Sequence, residues 1–135
     1  MTETGTLRFS KEHEWIRVEG EGRAVIGITD YAQKELGDIV FVELPSPGDS
    51  FEKGDGMAVV ESVKAVSDVY APFSGRVLEV NAALEDSPEL VNRDPYGEGW
   101  LVVMELGEPG ELENLLTGEE YARLYPTDAG RKSDG

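Results

Sequence analysis

The stretch GMAVVESVKAVSDVYAPFSG, residues 56–75, carries the strongest fold signal in the chain. The runs MAVVES and SDVYAPFSG are rich in β-branched and aromatic residues, as strands are. The three residues VKA lie between these runs, at the place of a connection. We therefore predict a β-hairpin whose protruding tip holds one lysine, Lys64, while both strands anchor in the core.

Short strand-like runs recur along the rest of the chain. EWIRVEG at 14–20 and RAVIGI at 23–28 predict a second hairpin, and IVFVEL at 39–44 predicts a further strand. Sixteen glycines and seven prolines in 135 residues indicate frequent turns. GMAVVE at 56–61 also resembles GWLVVME at 99–105, which favours two related β-units facing one another. The alternative is that any two buried strands look alike.

Helical patterns are short. TDYAQKELG at 29–37 predicts a helix with Thr29 or Asp30 as its N-cap and Gly37 as its C-cap. EPGELENLLTGEEYARLY at 108–125 predicts one or two C-terminal helices laid against a sheet. We expect a single mainly β domain over residues 1–125 and a disordered tail over 126–135. Four aromatic residues are expected to fill its core: Trp15, Trp100, Phe41 and Phe73.

The composition excludes several function classes. The formal net charge of −16 disfavours nucleic acid and anionic membranes as partners, because both would repel the chain. There is no cysteine, which removes disulfides and thiolate chemistry, and His13 alone cannot build a multi-histidine zinc site. No apolar run is long enough to span a membrane, and MTETGTLRFS lacks a signal-peptide pattern. We expect a cytoplasmic prokaryotic protein, or a mature form lacking a transit peptide.

Lys64 invites a chemical interpretation as well as a structural one. A lysine is a flexible stem that ends in an amine, which makes it a natural point for acylation. The alternative is an ordinary solvated lysine in a turn. Val63 and Ala65 flank Lys64, which is unusual for a tip that serves only solubility. Small apolar neighbours leave room for a modifying enzyme to grip this tip.

The residues around Lys64 resemble a known family. VESVKAVSDVYAPFSGRVLEVN at 60–81 is similar to the attachment region of the H proteins of the glycine cleavage system. The resemblance continues in order through KEHEW, GITDYAQKELGDIVFVELPSPGD, ALEDSPELVNRDPYGEGWL and EEYARLY. It implies a lipoyl-domain-like barrel/sandwich hybrid of two β-units, with lipoate in amide linkage on Lys64. Biotin carriers usually set their lysine between two methionines, which this chain does not.

The resemblance also implies a function. Such a protein is a lipoyl carrier and not an enzyme. It shuttles the aminomethyl group of glycine from glycine decarboxylase, a pyridoxal-phosphate enzyme, to aminomethyltransferase. Dihydrolipoamide dehydrogenase then reoxidises the lipoyl group, and a lipoate-attaching enzyme is the fourth expected partner.

Three acidic residues receive roles from the same resemblance. Glu14 and Asp68 match residues of a cleft that receives the cationic aminomethyl arm, and Glu61 matches the acid recognised by the lipoate-attaching enzyme. The alternative is that all three are solvated charges in a chain with 28 acids. Glu12 stands where some family members have serine and would add charge near the arm. For His13 we expect a structural hydrogen bond or a surface position.

Two other functions stay open on the sequence alone. The same lipoylated protein could relay its cofactor to other lipoyl domains, and this role needs the same lysine and fold. An interaction domain without a cofactor is the third possibility. That domain would keep its function in a Lys64→Arg variant.

Overall fold

The computed structural model describes residues 7–19, 22–107 and 109–124 and shows a mainly β fold of two sheets. The larger sheet contains, in spatial order, β10 (Leu116–Thr117), β1 (Arg8–Phe9), β2 (Glu14–Glu19), β3 (Arg23–Ile28), β9 (Val102–Leu106), β8 (Gly75–Val80) and β5 (Ser50–Phe51). The smaller sheet contains β4 (Ile39–Glu43), β6 (Gly56–Ser62) and β7 (Val66–Tyr70) in that order. All neighbouring strands are antiparallel.

Short helices connect and cover the strands: α1 (Asp30–Leu36), α2 (Ala83–Asp86), α3 (Leu90–Arg93), a 3-10 helix (Pro109–Asn114) and α4 (Gly118–Leu124). Thr29 is the N-cap of α1, since its Oγ1 accepts a hydrogen bond from the Ala32 amide at 3.1 Å. Gly37 follows α1 with φ of 86°, a conformation that favours glycine. The predicted fold class, mainly β with short helices and a helical C-terminal segment, is confirmed.

Both predicted hairpins are present. β2 pairs with β3 from Glu14↔Ile28 to Glu19↔Arg23, and β6 pairs with β7 around the predicted tip. The two strands resembling one another, β6 and β9, lie in different sheets. The smaller sheet consists of β4 and the two strands of the Lys64 hairpin.

Two hydrophobic clusters hold the molecule together. The first contains inward residues of both sheets, such as Ile16 and Val60, and Phe73 from the segment between β7 and β8. The second lies on the other face of the larger sheet, where Phe9 pairs with Trp15 and stacks on Tyr121 of α4. Because both faces of β2 are covered at its start, Glu14, Trp15 and Ile16 are all buried.

The Trp15 side chain leaves room only for a glycine opposite it in β3. Trp15 pairs with Gly27 across β2 and β3, and the Trp15 indole nitrogen donates to the Pro95 carbonyl at 2.9 Å. A Cβ on Gly27 would come within 2.6 Å of the indole ring. The tryptophan therefore requires a residue without a side chain opposite it.

Two of the four predicted core aromatics differ from expectation. Trp15 and Phe73 are fully buried, as predicted, whereas Trp100 is only partly buried. The prediction for Phe41 is wrong, because its side chain is 52% exposed on the smaller sheet. An irregularity in the pairing of β4 with β6, between Ile39 and Phe41, turns the ring outward.

The C-terminal segment contains an element that the helical pattern did not predict. Leu116–Thr117 pairs with Arg8–Phe9 as β10, and the helices lie on either side of it. The predicted tail at 126–135 lies outside the described residues, and the domain bounds of 1–125 stay a prediction. Within the described ranges, no helix has the length and apolar character needed to cross a membrane.

Candidate functional site

The tip of the β6–β7 hairpin is held by one buried serine. Ser62 is 5% exposed, and its Oγ accepts hydrogen bonds from the amides of Lys64 at 3.2 Å and Ala65 at 3.0 Å. Its own amide donates to the Ala65 carbonyl at 2.8 Å. The backbone that carries Lys64 is therefore fixed by local hydrogen bonds.

The tip also contacts the junction between α1 and β4. The Val63 amide donates to the Asp38 carbonyl at 3.1 Å. The Lys64 stem runs beside Gly37, since a Cβ at that glycine would lie 3.5 Å from the lysine Cε. The lysine stem therefore lies over the start of the smaller sheet.

The side chain of Asn92 in α3 forms three hydrogen bonds at and near this junction. Its Nδ2 donates to the Gly37 carbonyl at 2.9 Å and to the Gln33 side chain at 2.8 Å. Its Oδ1 accepts from the Ile39 amide at 2.8 Å. One side chain thus satisfies the helix end, the first strand residue and a helical glutamine.

The Lys64 side chain is exposed, and none of the ion pairs found among the described residues involves it. An exposed amine on a fixed turn suits covalent attachment of a carboxylic acid through an amide bond. The residues present therefore fit a lipoyl group at this position. By contrast, the described part of the chain brings no three His, Asp or Glu side chains together as a metal site would need.

Glu14 lies at the opposite end of the hairpin and is buried. Its Oε1 accepts from the Ser10 hydroxyl at 2.6 Å, and its Oε2 accepts from the Tyr70 amide at 2.9 Å. Glu14 belongs to β2 and Tyr70 to β7, so this carboxyl joins the two sheets. It also satisfies an amide on an edge strand.

Burial raises the pKa of Glu14 to about 7. The hydrogen bonds from Ser10 and Tyr70 act in the opposite direction, and the negative charge of Glu12 adds to the increase. Desolvation dominates because the side chain is only 1% exposed. The carboxyl therefore changes its charge near neutral pH.

Glu14 lines a cavity of about 480 Å³. The cavity is bordered by Phe9, Ser10, Lys11, Glu12, Glu14, Lys53, Gly54, Tyr70, Ala71, Pro72, Leu115 and Leu116. Its apolar lining comes from β1, the segment after β7 and the C-terminal segment. Its charged lining comes from two acids, Glu12 and Glu14, and two lysines, Lys11 and Lys53.

Asp68 and Glu61 lie on the exposed face of the smaller sheet. Asp68 pairs with Val59 and lines a second cavity, of about 380 Å³, together with Glu43. Glu61 lies opposite Val66, close to the tip. Glu14 and Asp68 thus line separate cavities, and their joint cleft stays a prediction.

Glu12 and His13 precede Glu14 in the chain and have different surroundings. Glu12 is exposed and borders the Glu14 cavity. The Nδ1 of His13 lies 2.8 Å from the Tyr121 hydroxyl, and its ring stacks on Tyr31 at 4.7 Å. This confirms a structural hydrogen bond for His13.

Sequence reasoning missed Ser62 and Asn92. Ser62 carries a recognisable signal, since serine next to a turn commonly hydrogen-bonds its own backbone. Asn92 carries none, because its partners lie more than fifty residues away in the chain. Its role depends on tertiary packing alone.

Comparison with known proteins places this geometry in a family. The family model "Glycine cleavage H-protein" matches residues 7–128. The chain belongs to that family. Its members are carrier subunits of the glycine cleavage system and not catalytic enzymes.

Individual relatives agree over almost the full length. The chain is 56% identical to a glycine cleavage system H protein of Xanthomonas campestris pv. campestris (strain B100), over 93% of this chain and 95% of the relative. It is 51% identical to one of Xylella fastidiosa (strain Temecula1 / ATCC 700964), over 92% and 95%. A crystal structure of an H protein from Mycobacterium marinum has a TM-score of 0.79 and 40% identity, over 90% of this chain and 98% of that one.

Proposed function

We propose that the chain is the lipoyl carrier of the glycine cleavage system, with lipoate attached to Lys64. The observation that carries this proposal is an exposed amine on a turn that buried Ser62 holds in place. The lysine is presented in a fixed position, yet its side chain is free to move. A carrier needs both properties.

Bound lipoate would supply a dithiolane, the sulfur redox chemistry that a chain without cysteine lacks. The chain itself would present, guide and shelter that group. Strand β7, from Val66 to Tyr70, leads from the tip to the Glu14 cavity over about 13 Å, at about 3.3 Å per residue. A long flexible arm on Lys64 can therefore sample both the solvent and this cavity.

Glu14 would meet the cationic end of the loaded arm. A nearby cation favours the ionised form of a carboxyl, so entry of an amine would lower the pKa of Glu14 from about 7. The pairing strengthens because Glu14 itself is only 1% exposed. Glu12 at the cavity border adds a second negative charge, while Lys11 and Lys53 on the same border are positive.

The other acids have roles outside this cavity in our proposal. Glu61, beside the tip, contributes to recognition by the lipoate-attaching enzyme. Asp68 meets the arm on its way along β7. The partners are then glycine decarboxylase, aminomethyltransferase and dihydrolipoamide dehydrogenase, each of which uses the arm in turn at high effective concentration.

Exchange of labelled bicarbonate into glycine, driven by glycine decarboxylase, tests the proposal. The lipoylated chain should support this exchange, and the Lys64→Arg chain should not. Lys34→Arg is the matched control, since Lys34 is an exposed lysine on α1. Equal exchange with Lys64→Arg and with the wild-type chain would refute the carrier role.

A further inference from the structure

The outer face of the smaller sheet carries an apolar row close to Lys64. Phe41 lies opposite Glu61, and Glu61 lies opposite Val66, so the three side chains cross the sheet side by side. Phe41 is 52% exposed and Val66 is 65% exposed. We call Phe41, Glu61 and Val66 the outer row. It is an acid flanked by two exposed apolar groups.

The position of Phe41 depends on an irregularity in β4. Ile39 faces the core, so regular alternation would turn residue 41 inward as well. The register shifts between Ile39 and Phe41, and both Val40 and Phe41 face outward as a result. Bulges of this kind re-aim side chains. The sheet thereby leaves the aromatic side chain of Phe41 52% exposed to water.

The lysine stem lies near the start of β4, the strand that carries Phe41. It runs beside Gly37, and β4 begins two residues later. Val63, at the tip itself, is 71% exposed and extends the apolar surface toward the amine. A protein surface that reaches the Lys64 Nζ over the outer face of the smaller sheet would also contact the outer row.

We propose that the outer row is the surface by which the lipoate-attaching enzyme holds this chain. The inference rests on the proposed function. Its occupant has an apolar socket for Phe41 and Val66 and a basic group that pairs with Glu61. The net charge of −16 favours a basic partner face in general. The outer row adds the apolar contacts that give such a face its specificity.

The length of the lysine decides between the possible occupants. During attachment, the neutral Nζ attacks the acyl carbon of lipoyl adenylate. The amide C–N bond forms, the bond from the acyl carbon to the phosphate oxygen breaks, AMP leaves, and the amine releases its proton. The attaching enzyme must therefore bring the acyl carbon within bonding distance of a lysine that does not yet carry the lipoyl arm. Enzymes that use the finished arm can remain farther away.

Val18 supplies a matched control on the other sheet. It is 42% exposed on β2, in the larger sheet. Val66→Ser and Val18→Ser make the same chemical change at exposed strand positions. Only the first changes the outer row.

The test is the initial rate at which a purified lipoate-attaching enzyme, given lipoyl adenylate, modifies the unlipoylated full chain. Intact mass spectrometry follows the product. We expect Phe41→Ser and Val66→Ser each to raise the KM for the chain about tenfold or more, with little change in kcat. Val18→Ser should match the wild type. Val66→Thr, which keeps the β-branched shape, should have an intermediate effect, and melting curves check that every variant is folded.

A second readout identifies the occupant. Variants lipoylated to completion by long incubation should support glycine decarboxylase exchange as well as the wild-type chain does. Equal impairment of exchange would overturn the assignment to the attaching enzyme. If both outer-row variants had the wild-type KM, or if Val18→Ser raised the KM equally, the outer row would not be the binding surface. Failure of the wild-type chain to accept lipoate would instead overturn the proposed function.

Discussion

The two ends of the β6–β7 hairpin are built in opposite ways. At the tip, Lys64 is exposed and only its backbone is fixed, by the buried Oγ of Ser62. At the other end, the Tyr70 amide is bonded to Glu14, a buried carboxyl whose pKa burial raises to about 7. Under the proposed function, one strand pair serves two tasks with opposite requirements. Attachment of lipoate would need an accessible amine, whereas sheltering a cation would need a buried carboxyl.

The largest effect should come from Lys64→Arg. Arginine keeps the positive charge, but its guanidinium stays protonated and does not form the amide. We expect complete loss of lipoylation by mass spectrometry. The free energy of unfolding should change by less than about 0.5 kcal/mol, because the side chain is exposed. A large drop in melting temperature would show that Lys64 is structural.

The Glu14 end should respond to pH. The pKa of Glu14 is about 7 in the folded chain and has an ordinary value of 4.5. Between these values the folded state binds more protons than the unfolded state, so this group's stabilisation falls as pH rises from 4.5 through 7. One pKa unit is worth about 1.4 kcal/mol, so the loss is about 3 kcal/mol in all.

Glu14→Gln isolates that contribution. A glutamine can still accept from the Tyr70 amide, and its own amide can donate to the Ser10 hydroxyl. Urea unfolding of both proteins across this pH range gives the difference in free energy. We expect the variant to gain about 3 kcal/mol relative to the wild type as pH rises past 7. A difference that does not change with pH would contradict a buried, titrating Glu14.

Ser62→Ala should have a smaller effect at the tip. The amides of Lys64 and Ala65 would lose their acceptor, at a cost of about 1 kcal/mol, because water can partly replace it. Hydrogen exchange at these two amides should accelerate, and lipoylation should slow severalfold. Ser67→Ala in β7 is the control, with an expected change under about 0.5 kcal/mol. Equal effects at both positions would remove Ser62 from its role at the tip.

Asp68→Asn should have the smallest effect on stability, under about 0.5 kcal/mol, because its side chain is exposed. Asp68 lines a different cavity from Glu14. We therefore expect the loaded carrier to lose its one-carbon unit to water faster in Glu14→Gln than in Asp68→Asn. Glu43→Gln, on the same face as Asp68, serves as the control. The reverse order would indicate that the aminomethyl group is protected near Asp68 on the outer face and not near Glu14.

Much of the hairpin and its surroundings could be predicted from the sequence. Alternation and turn residues predict both hairpins, and local capping chemistry predicts the helix that Thr29 begins and Gly37 ends. The resemblance around Lys64 predicts the family, which the comparisons show. These signals are local, or they lie in contiguous motifs.

The remaining features depend on tertiary contacts. Phe41 has the composition of a core residue, and only the irregular pairing with β6 turns it outward. Glu14 is buried because its side chain faces the other sheet, where it accepts from the amide of Tyr70, 56 residues away in the chain. Leu116–Thr117 is a strand only because β1 lies beside it. Periodicity reports none of these neighbours.

Peptide mass spectrometry of the chain, purified from a host with an active glycine cleavage system, tests the central claim most directly. The account predicts a lipoyl group on the peptide that contains Lys64 and on no other lysine. An unmodified Lys64, in a host shown to lipoylate its other carrier proteins, would contradict it.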